Sequence, residues 1–119
     1  MLGPDGERWA PIHGHVPHSR AEECYSAIER LFADHAEEME ELGVHHGTLL
    51  AVINGGCTVI EPCLYWPDRR NPLIDATVEP AHLKRLPDHE SNPAARNLAA
   101  RLKRELVDLF FSFDAAHFQ

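Results

Sequence analysis

The chain has 119 residues, a length that predicts one domain with a substantial hydrophobic core. It is 44% hydrophobic and 25% charged, as in ordinary soluble proteins, and three cysteines without CxxC spacing are typical of a reducing compartment. The net charge of −8 excludes non-specific nucleic-acid binding, which requires a basic surface. Because no apolar run approaches the length of a membrane span and no signal sequence is recognisable, we expect a cytoplasmic protein without a membrane partner.

The first predicted element, residues 8–17, alternates in the manner of a β-strand. Ile12 and Val16 are expected on one face of it. The opposite face is expected to carry Trp9, Pro11, His13 and His15. Pro11 and Pro17 remove backbone donors, which favours an edge position or an irregular strand.

A long amphipathic helix is predicted next. Ser19 and Glu22 have the spacing of a capping box, in which each side chain accepts a hydrogen bond from a free backbone amide. Apolar residues recur at helical spacing from Cys24 to Leu42, and Gly43 lies where a left-handed residue ends many helices.

The segment from Thr48 to Trp66 is predicted to be a β-hairpin. Two apolar, β-branched runs flank Asn54-Gly55-Gly56, a typical hairpin turn. The second run places Glu61 and Tyr65 on one side of its strand. The hairpin therefore offers polar groups on one face while it buries apolar residues on the other.

Residues 67–92 form a polar, proline-rich connection, after which Asn92 and Pro93 predict the start of a second long helix. The order of elements predicts an α+β fold: a ferredoxin-like two-layer sandwich, with two long helices on one face of an antiparallel sheet. This pattern requires a further strand. The chain stops at residues 114–119, where strand-like residues are only beginning, which indicates either that the chain is a fragment or that its last strand is missing.

Four polar side chains are candidates for a site on the face opposite the helices: His13, His15, Glu61 and Tyr65. A solvent-facing polar surface is the alternative interpretation. His13 and His15, with His18 in the following turn, also resemble a zinc-binding string. No carboxylate or cysteine lies at ligand spacing, however, so no metal is predicted.

Three segments carry a resemblance to a known family: WAPIHGHVPHS (residues 9–19), EPCLYWPD (residues 61–68) and ELVDLFFSFDAAHFQ (residues 105–119). Together they resemble the C-terminal cap domain of FAD-linked oxidases, the family of vanillyl-alcohol oxidase, p-cresol methylhydroxylase and the D-lactate or glycolate dehydrogenases. The resemblance implies that a separate domain binds FAD and that the cap covers the flavin and forms the substrate pocket. The implied reaction moves a hydride from a 2-hydroxy acid or phenolic alcohol to flavin N5.

The resemblance also implies roles for single residues. A histidine, His13 or His15, would act as base on the substrate hydroxyl, Glu61 would orient that histidine, and Tyr65 would donate a hydrogen bond to a substrate oxygen. His117 lies in the segment that leads to the flavin-contacting tail of the family and is the candidate cofactor-binding residue.

This chain also departs from the family. It has no flavin-binding domain, no dinucleotide-binding glycine-rich loop and no HxGDGNxH-type string. We therefore expect residues 1–8 to be a mobile lead and residues 9–119 to be one cap-like domain, a fragment of a longer enzyme that is inactive alone. The alternative function is a non-catalytic ferredoxin-like module that forms a homodimer or binds a small ligand.

Overall fold

A computed structural model describes residues 2–118 of the chain. Its helices and strands follow in the order β1 (Arg8–Pro11), β2 (His13–Pro17), α1 (Ala21–Asp34), α2 (Ala36–Leu42), β3 (His45–Ile53), β4 (Cys57–Trp66), α3 (Pro72–Thr77), α4 (Pro80–Leu83), α5 (Pro93–Ser112) and β5 (Ala116–Phe118). A short 3₁₀ turn, His18–Arg20, joins β2 to α1.

The strands form one antiparallel sheet around β4. On one side of β4, β1 and β2 pair with its two halves as a single interrupted strand, and the amide of Ile12 between them donates to the Pro62 carbonyl at 2.9 Å. On the other side, β3 pairs with β4 from His45 to Ile53. The resulting order, β5, then β1 with β2, then β4, then β3, confirms the predicted ferredoxin-like sandwich.

The last strand, whose absence was one of the two alternatives that the sequence left open, is present. β5 pairs antiparallel with β2, so that Gly14 lies opposite His117 and His15 opposite Ala116. Asp114 adopts a positive φ of 56° just after α5 and helps to reverse the chain toward the sheet. Three residues are therefore enough to occupy the strand position that the fold requires.

The first helix differs from its prediction in two ways. It is divided at His35 into α1 and α2, and its N-cap is Arg20, with no side-chain hydrogen bond from a capping box. Ser19 instead belongs to the 3₁₀ turn that leads into the helix. The Nε2 atom of His35 lies 2.9 Å from the Glu105 carboxylate of α5, a contact between distant parts of the chain. The left-handed Gly43 at the helix end is as predicted, with φ of 69°.

The core lies between the helices and one face of the sheet. Its fully buried members include Cys24, Ile28, Leu98, Leu102, Leu106, Phe110, Ile12, Val16, Ile60 and Leu64. The sheet residues among them are all even-numbered, and Gly14 leaves the space that the Phe110 ring occupies. The even-numbered positions of β1, β2 and β4 therefore face the helices, and the odd-numbered positions face away.

The two segments outside this sandwich are ordered by local contacts. Residues 3–7 form a turn in which the Gly3 amide donates to the Glu7 carbonyl at 2.8 Å. The mobility expected for residues 1–8 stays a prediction. In the connection after β4, the buried carboxylate of Asp68 accepts two hydrogen bonds from Arg96 of α5, which ties the connection to the helix layer.

Candidate functional site

The candidate site lies on the face of the sheet that the helices do not cover. We call this the open face, and it consists of the odd-numbered residues of β1 to β4. His13 and His15 project from β2 and Glu61 and Tyr65 from β4, so the structure brings the four candidates to one surface. Glu61 is the only Asp, Glu, Lys or Arg among the open-face residues of these four strands.

His13 and Glu61 form the centre of the open face. The His13 Nε2 atom lies 3.1 Å from a Glu61 carboxylate oxygen, and the two side chains are 28% and 17% exposed. A carboxylate at this distance from Nε2 fixes the orientation of the imidazole ring. The pair therefore has the geometry of a histidine base positioned by an acid.

Tyr65 lies farther along β4, next to Trp9. The two rings are stacked with their centroids 6.3 Å apart and an angle of 7° between their planes. Burial, followed by the neighbouring Cys63, raises the pKa of the Tyr65 phenol above 10.0. Tyr65 is thus a neutral phenol at neutral pH, able to donate a hydrogen bond and not to act as a base.

Cys63 separates Glu61 from Tyr65 on this face. Its Sγ atom lies 3.6 Å from a Glu61 carboxylate oxygen, and burial is the main cause that raises the pKa of the thiol above 9.0. The Cys63 thiol is therefore protonated and weakly polar, lies buried at the base of the open face, and is not a nucleophile. Since Glu61 and Tyr65 are four positions apart along β4, their backbones are about 13 Å apart, and only their side chains can converge on one small substrate.

A cleft of about 350 Å³ opens at the Tyr65 end of the open face. Its lining consists of Asp5, Glu7, His45, Tyr65, Trp66, Pro67 and His89. The cleft extends the open face toward residues that precede β1 and follow β4. A small ligand that contacts Tyr65 therefore has a concave surface beside it.

His117 is not brought together with the other four candidates. It projects to the helix side of β5, where its ring stacks on Phe110 with centroids 6.5 Å apart and meets Phe111 edge-on. Its Nδ1 atom lies 2.7 Å from the backbone carbonyl of His13. His117 therefore contacts the strand of the site from behind and does not present its ring to the open face.

The histidine string does not converge either. His18 leaves the strand in the 3₁₀ turn, and its Nδ1 atom lies 2.8 Å from the hydroxyl of buried Thr58, on the helix side. Within residues 2–118, no group of three or more His, Cys, Asp or Glu side chains is placed to hold a metal ion.

Two members of the site were not singled out from the sequence. Trp9 was placed on the correct face, but its stacking on Tyr65 depends on the register between β1 and β4. Cys63 follows Glu61 by two residues, so strand alternation alone was a sufficient signal for its position.

The geometry is the basis for any functional conclusion about this chain. Comparisons with protein-family models, curated proteins and solved structures gave no match. No helix among the described residues is both long and apolar enough to cross a membrane.

Proposed function

We propose that this chain is the cap domain of an FAD-dependent oxidoreductase that oxidises a 2-hydroxy acid or a phenolic alcohol. The observation that carries the proposal is the open face, on which a His13–Glu61 pair with its nitrogen and oxygen 3.1 Å apart and a neutral Tyr65 share one uncovered surface. The sequence resemblance to FAD-linked oxidases supports the same assignment. In this proposal the open face covers a flavin that a separate domain binds.

The residues of the open face fit a wall beside a flavin better than a complete flavin site. At the centre of the open face, the nearly buried side chains of Val59 and Cys63 form an apolar surface. The stacked rings of Trp9 and Tyr65 lie at one side of it. Such a surface suits a planar, largely apolar ring. The flavin, when bound, supplies the hydride acceptor for the reaction.

The chain's own residues would bind and position the substrate. His13 would take the proton of the substrate hydroxyl at the ring nitrogen that does not face Glu61, and the Glu61 carboxylate, 3.1 Å from Nε2, would hold the ring in place. Tyr65 donates a hydrogen bond to a carboxylate or phenolate oxygen of the substrate. His15 is the second candidate base, and His117 would serve the cofactor only indirectly, through its contact with the His13 backbone.

The first test uses the native protein, purified with an antibody from the cells that produce it. The mass of its polypeptide and its flavin absorbance are measured first. The reduction of an electron acceptor is then measured with D-lactate and with vanillyl alcohol as substrates. We expect a bound flavin and turnover of one substrate. A native polypeptide that carries no flavin and oxidises neither substrate contradicts the proposal.

Variants of the same native-length protein then test the residue roles. His13→Gln and Tyr65→Phe should each lower kcat/KM by about 10²- to 10⁴-fold. His15→Gln separates the two candidate bases. The matched control is His82→Gln, because His82 is an exposed histidine on α4 outside the open face, and its kcat/KM should stay within about 2-fold of wild type.

A small-ligand-binding module without a flavin is the second candidate. The cleft beside Tyr65 favours it, because a concave site of about 350 Å³ is large enough for a small organic molecule. Nuclear magnetic resonance of the 119-residue chain with added 4-hydroxybenzoate or lactate distinguishes the two. Shifts of Tyr65 and His45 without any bound flavin in the native protein favour this module.

A further inference from the structure

The outer edge of β3 has no partner strand among residues 2–118. β3 is one of the longest strands in the sheet, with nine residues and a length of about 30 Å, and it pairs only with β4. All nine residues pair in continuous register with β4, so no bulge twists the edge away. This strand therefore presents a long, regular row of backbone donors and acceptors.

The side chains of β3 lack the features that normally protect an edge. The strand, HHGTLLAVI, contains no Asp, Glu, Lys, Arg or Pro, although the chain as a whole has a net charge of −8. Its large apolar side chains are exposed on both faces: Leu49 54%, Leu50 52%, Val52 63% and Ile53 42%. Soluble proteins usually place charges, prolines or bulges on such an edge, so this one is suited to pairing with another strand.

We propose that the edge of β3 is a docking surface for β3 of a second copy of this chain. Antiparallel pairing of a strand with itself is two-fold symmetric and closes as a dimer. The register centred on Leu49 is the one that overlaps all nine residues and so forms the most hydrogen bonds. This inference is independent of the proposed oxidoreductase function.

The strand is complementary to itself in this register. On the open face, Leu49 lies opposite its own copy and small Gly47 opposite small Ala51. On the helix side, Thr48 lies opposite Leu50 and His46 opposite Val52. Every pair is free of like charges, and the Glu61 carboxylates of the two copies are separated by three strand spacings, about 14 Å, which is beyond the screening length of about 8 Å.

A groove beside the start of β3 favours the same arrangement. It has a volume of about 340 Å³ and lies on the helix side, with Phe32, Ala36, Met39, Glu40, Val44, His45 and His46 in its lining. The His46 ring stacks on Phe32 at 4.0 Å between centroids. Since Val52 of the second copy lies opposite His46, its exposed side chain meets the mouth of this groove, and two-fold symmetry repeats the contact.

The size of the surface predicts a weak, reversible dimer. A strip about 30 Å long and about 10 Å thick covers about 300 Å² on each copy, which is below the size of standard specific interfaces and typical of weak, transient ones, so we expect a dissociation constant no tighter than the order of 10 μM. The dimer should therefore appear only as the concentration rises.

Sedimentation velocity of the 119-residue chain, from about 1 to about 500 μM, tests the proposal. We expect a monomer at the low end and a dimer at the high end. Leu50→Lys/Val52→Lys should weaken dimerisation by at least about 100-fold, because it adds four positive charges to one interface. Leu73→Lys is the matched control: Leu73 is 68% exposed on α3, and its variant should dimerise within about 2-fold of wild type.

Hydrogen exchange of the unmodified chain provides a second readout that does not depend on the variants. Amides on the outer edge of β3 should exchange more slowly at high concentration, while those of α5 should be unchanged. Leu49→Cys in a Cys57→Ser background, where the remaining Cys24 and Cys63 are buried, should form an intermolecular disulfide, whereas Leu73→Cys in the same background should not. A monomer at every concentration, or a dimer that the lysine pair does not weaken, overturns the proposal.

Discussion

Asp68 connects the segment after β4 to the helix layer, and its substitution gives a sharp test of how the fold is held. The carboxylate is fully buried and accepts two hydrogen bonds of 2.9 Å from the Arg96 guanidinium. It also accepts from the backbone amides of Asn92 at 2.8 Å and Arg69 at 2.9 Å, and from the Trp66 indole at 3.3 Å. Removal of the negative charge therefore leaves five donors facing a weaker acceptor.

The magnitude follows from the pKa of this group. Burial alone would raise the pKa of the Asp68 carboxyl, but the hydrogen bonds from Arg96, the Asn92 amide and Trp66 outweigh burial and lower it from 3.8 to about 2. Because the folded-state pKa lies below the unfolded one, the charge contributes about 2 kcal/mol to the free energy of unfolding at pH 7. That contribution is present above about pH 4 and is mostly lost as the pH falls to about 2.

We expect Asp68→Asn to lower the free energy of unfolding by about 2 to 4 kcal/mol at pH 7. Besides the lost charge, the side-chain NH₂ group of the asparagine would face some of the N–H groups that the carboxylate accepts from. Urea denaturation, followed by Trp fluorescence and circular dichroism between pH 7 and pH 2, measures the difference from wild type. The difference in free energy of unfolding between wild type and Asp68→Asn should shrink by about 2 kcal/mol between pH 4 and pH 2. The other carboxylates titrate in both proteins, so their contributions cancel in this difference.

The matched control is Asp75→Asn. Asp75 pairs with Arg70 at 3.3 Å, but its side chain is 55% exposed, so the substitution should cost less than about 1 kcal/mol. If the Asp68→Asn difference is below about 1 kcal/mol at pH 7, or is the same at pH 2 as at pH 7, the reasoning about Asp68 is wrong.

Two further predictions concern the core and the thiols. Gly14→Ala should lower the free energy of unfolding by about 1 to 3 kcal/mol, because an added methyl group would overlap the Phe110 ring. The control is Gly47→Ala, since Gly47 has open space around it. In the same urea titration this control should change the free energy of unfolding by less than about 0.5 kcal/mol. Burial raises the pKa of the Cys24 thiol to about 11, so only about one Cys24 in a thousand is a thiolate at pH 8. Cys57 is partly exposed, and we expect it to be the first cysteine to react with Ellman's reagent. A fast phase that survives Cys57→Ser would contradict this order.

Local signals predicted the second helix and the hairpin well. The Asn92 side chain accepts a hydrogen bond from the Ala95 amide, and Pro93 follows at the first position of α5, as their sequence predicts. Asn54 and Gly55 both have positive φ, and the Gly56 amide donates to the Ile53 carbonyl, as in a type I′ turn. These features depend only on neighbours in the chain, so sequence is sufficient to predict them.

The same local logic failed where distant residues compete with it. The break at His35 accompanies a contact with Glu105, 70 residues away, and His18 leaves its histidine neighbours for Thr58. The burial of Asp68 had no signal in its polar, proline-rich surroundings, because its strongest partner lies 28 residues further along the chain.

The sequence by itself determined the α+β class, the alternation of strand faces and the grouping of His13, His15, Glu61 and Tyr65 on one surface, because strand periodicity requires no knowledge of partners. Tertiary structure alone decided which strands are neighbours, and hence the 3.1 Å contact of His13 with Glu61 and the position of His117 on the helix side. It also decided that β3 is an edge. Strand order depends on how the helices pack over the sheet, so an exposed apolar strand and a buried one can have the same sequence pattern.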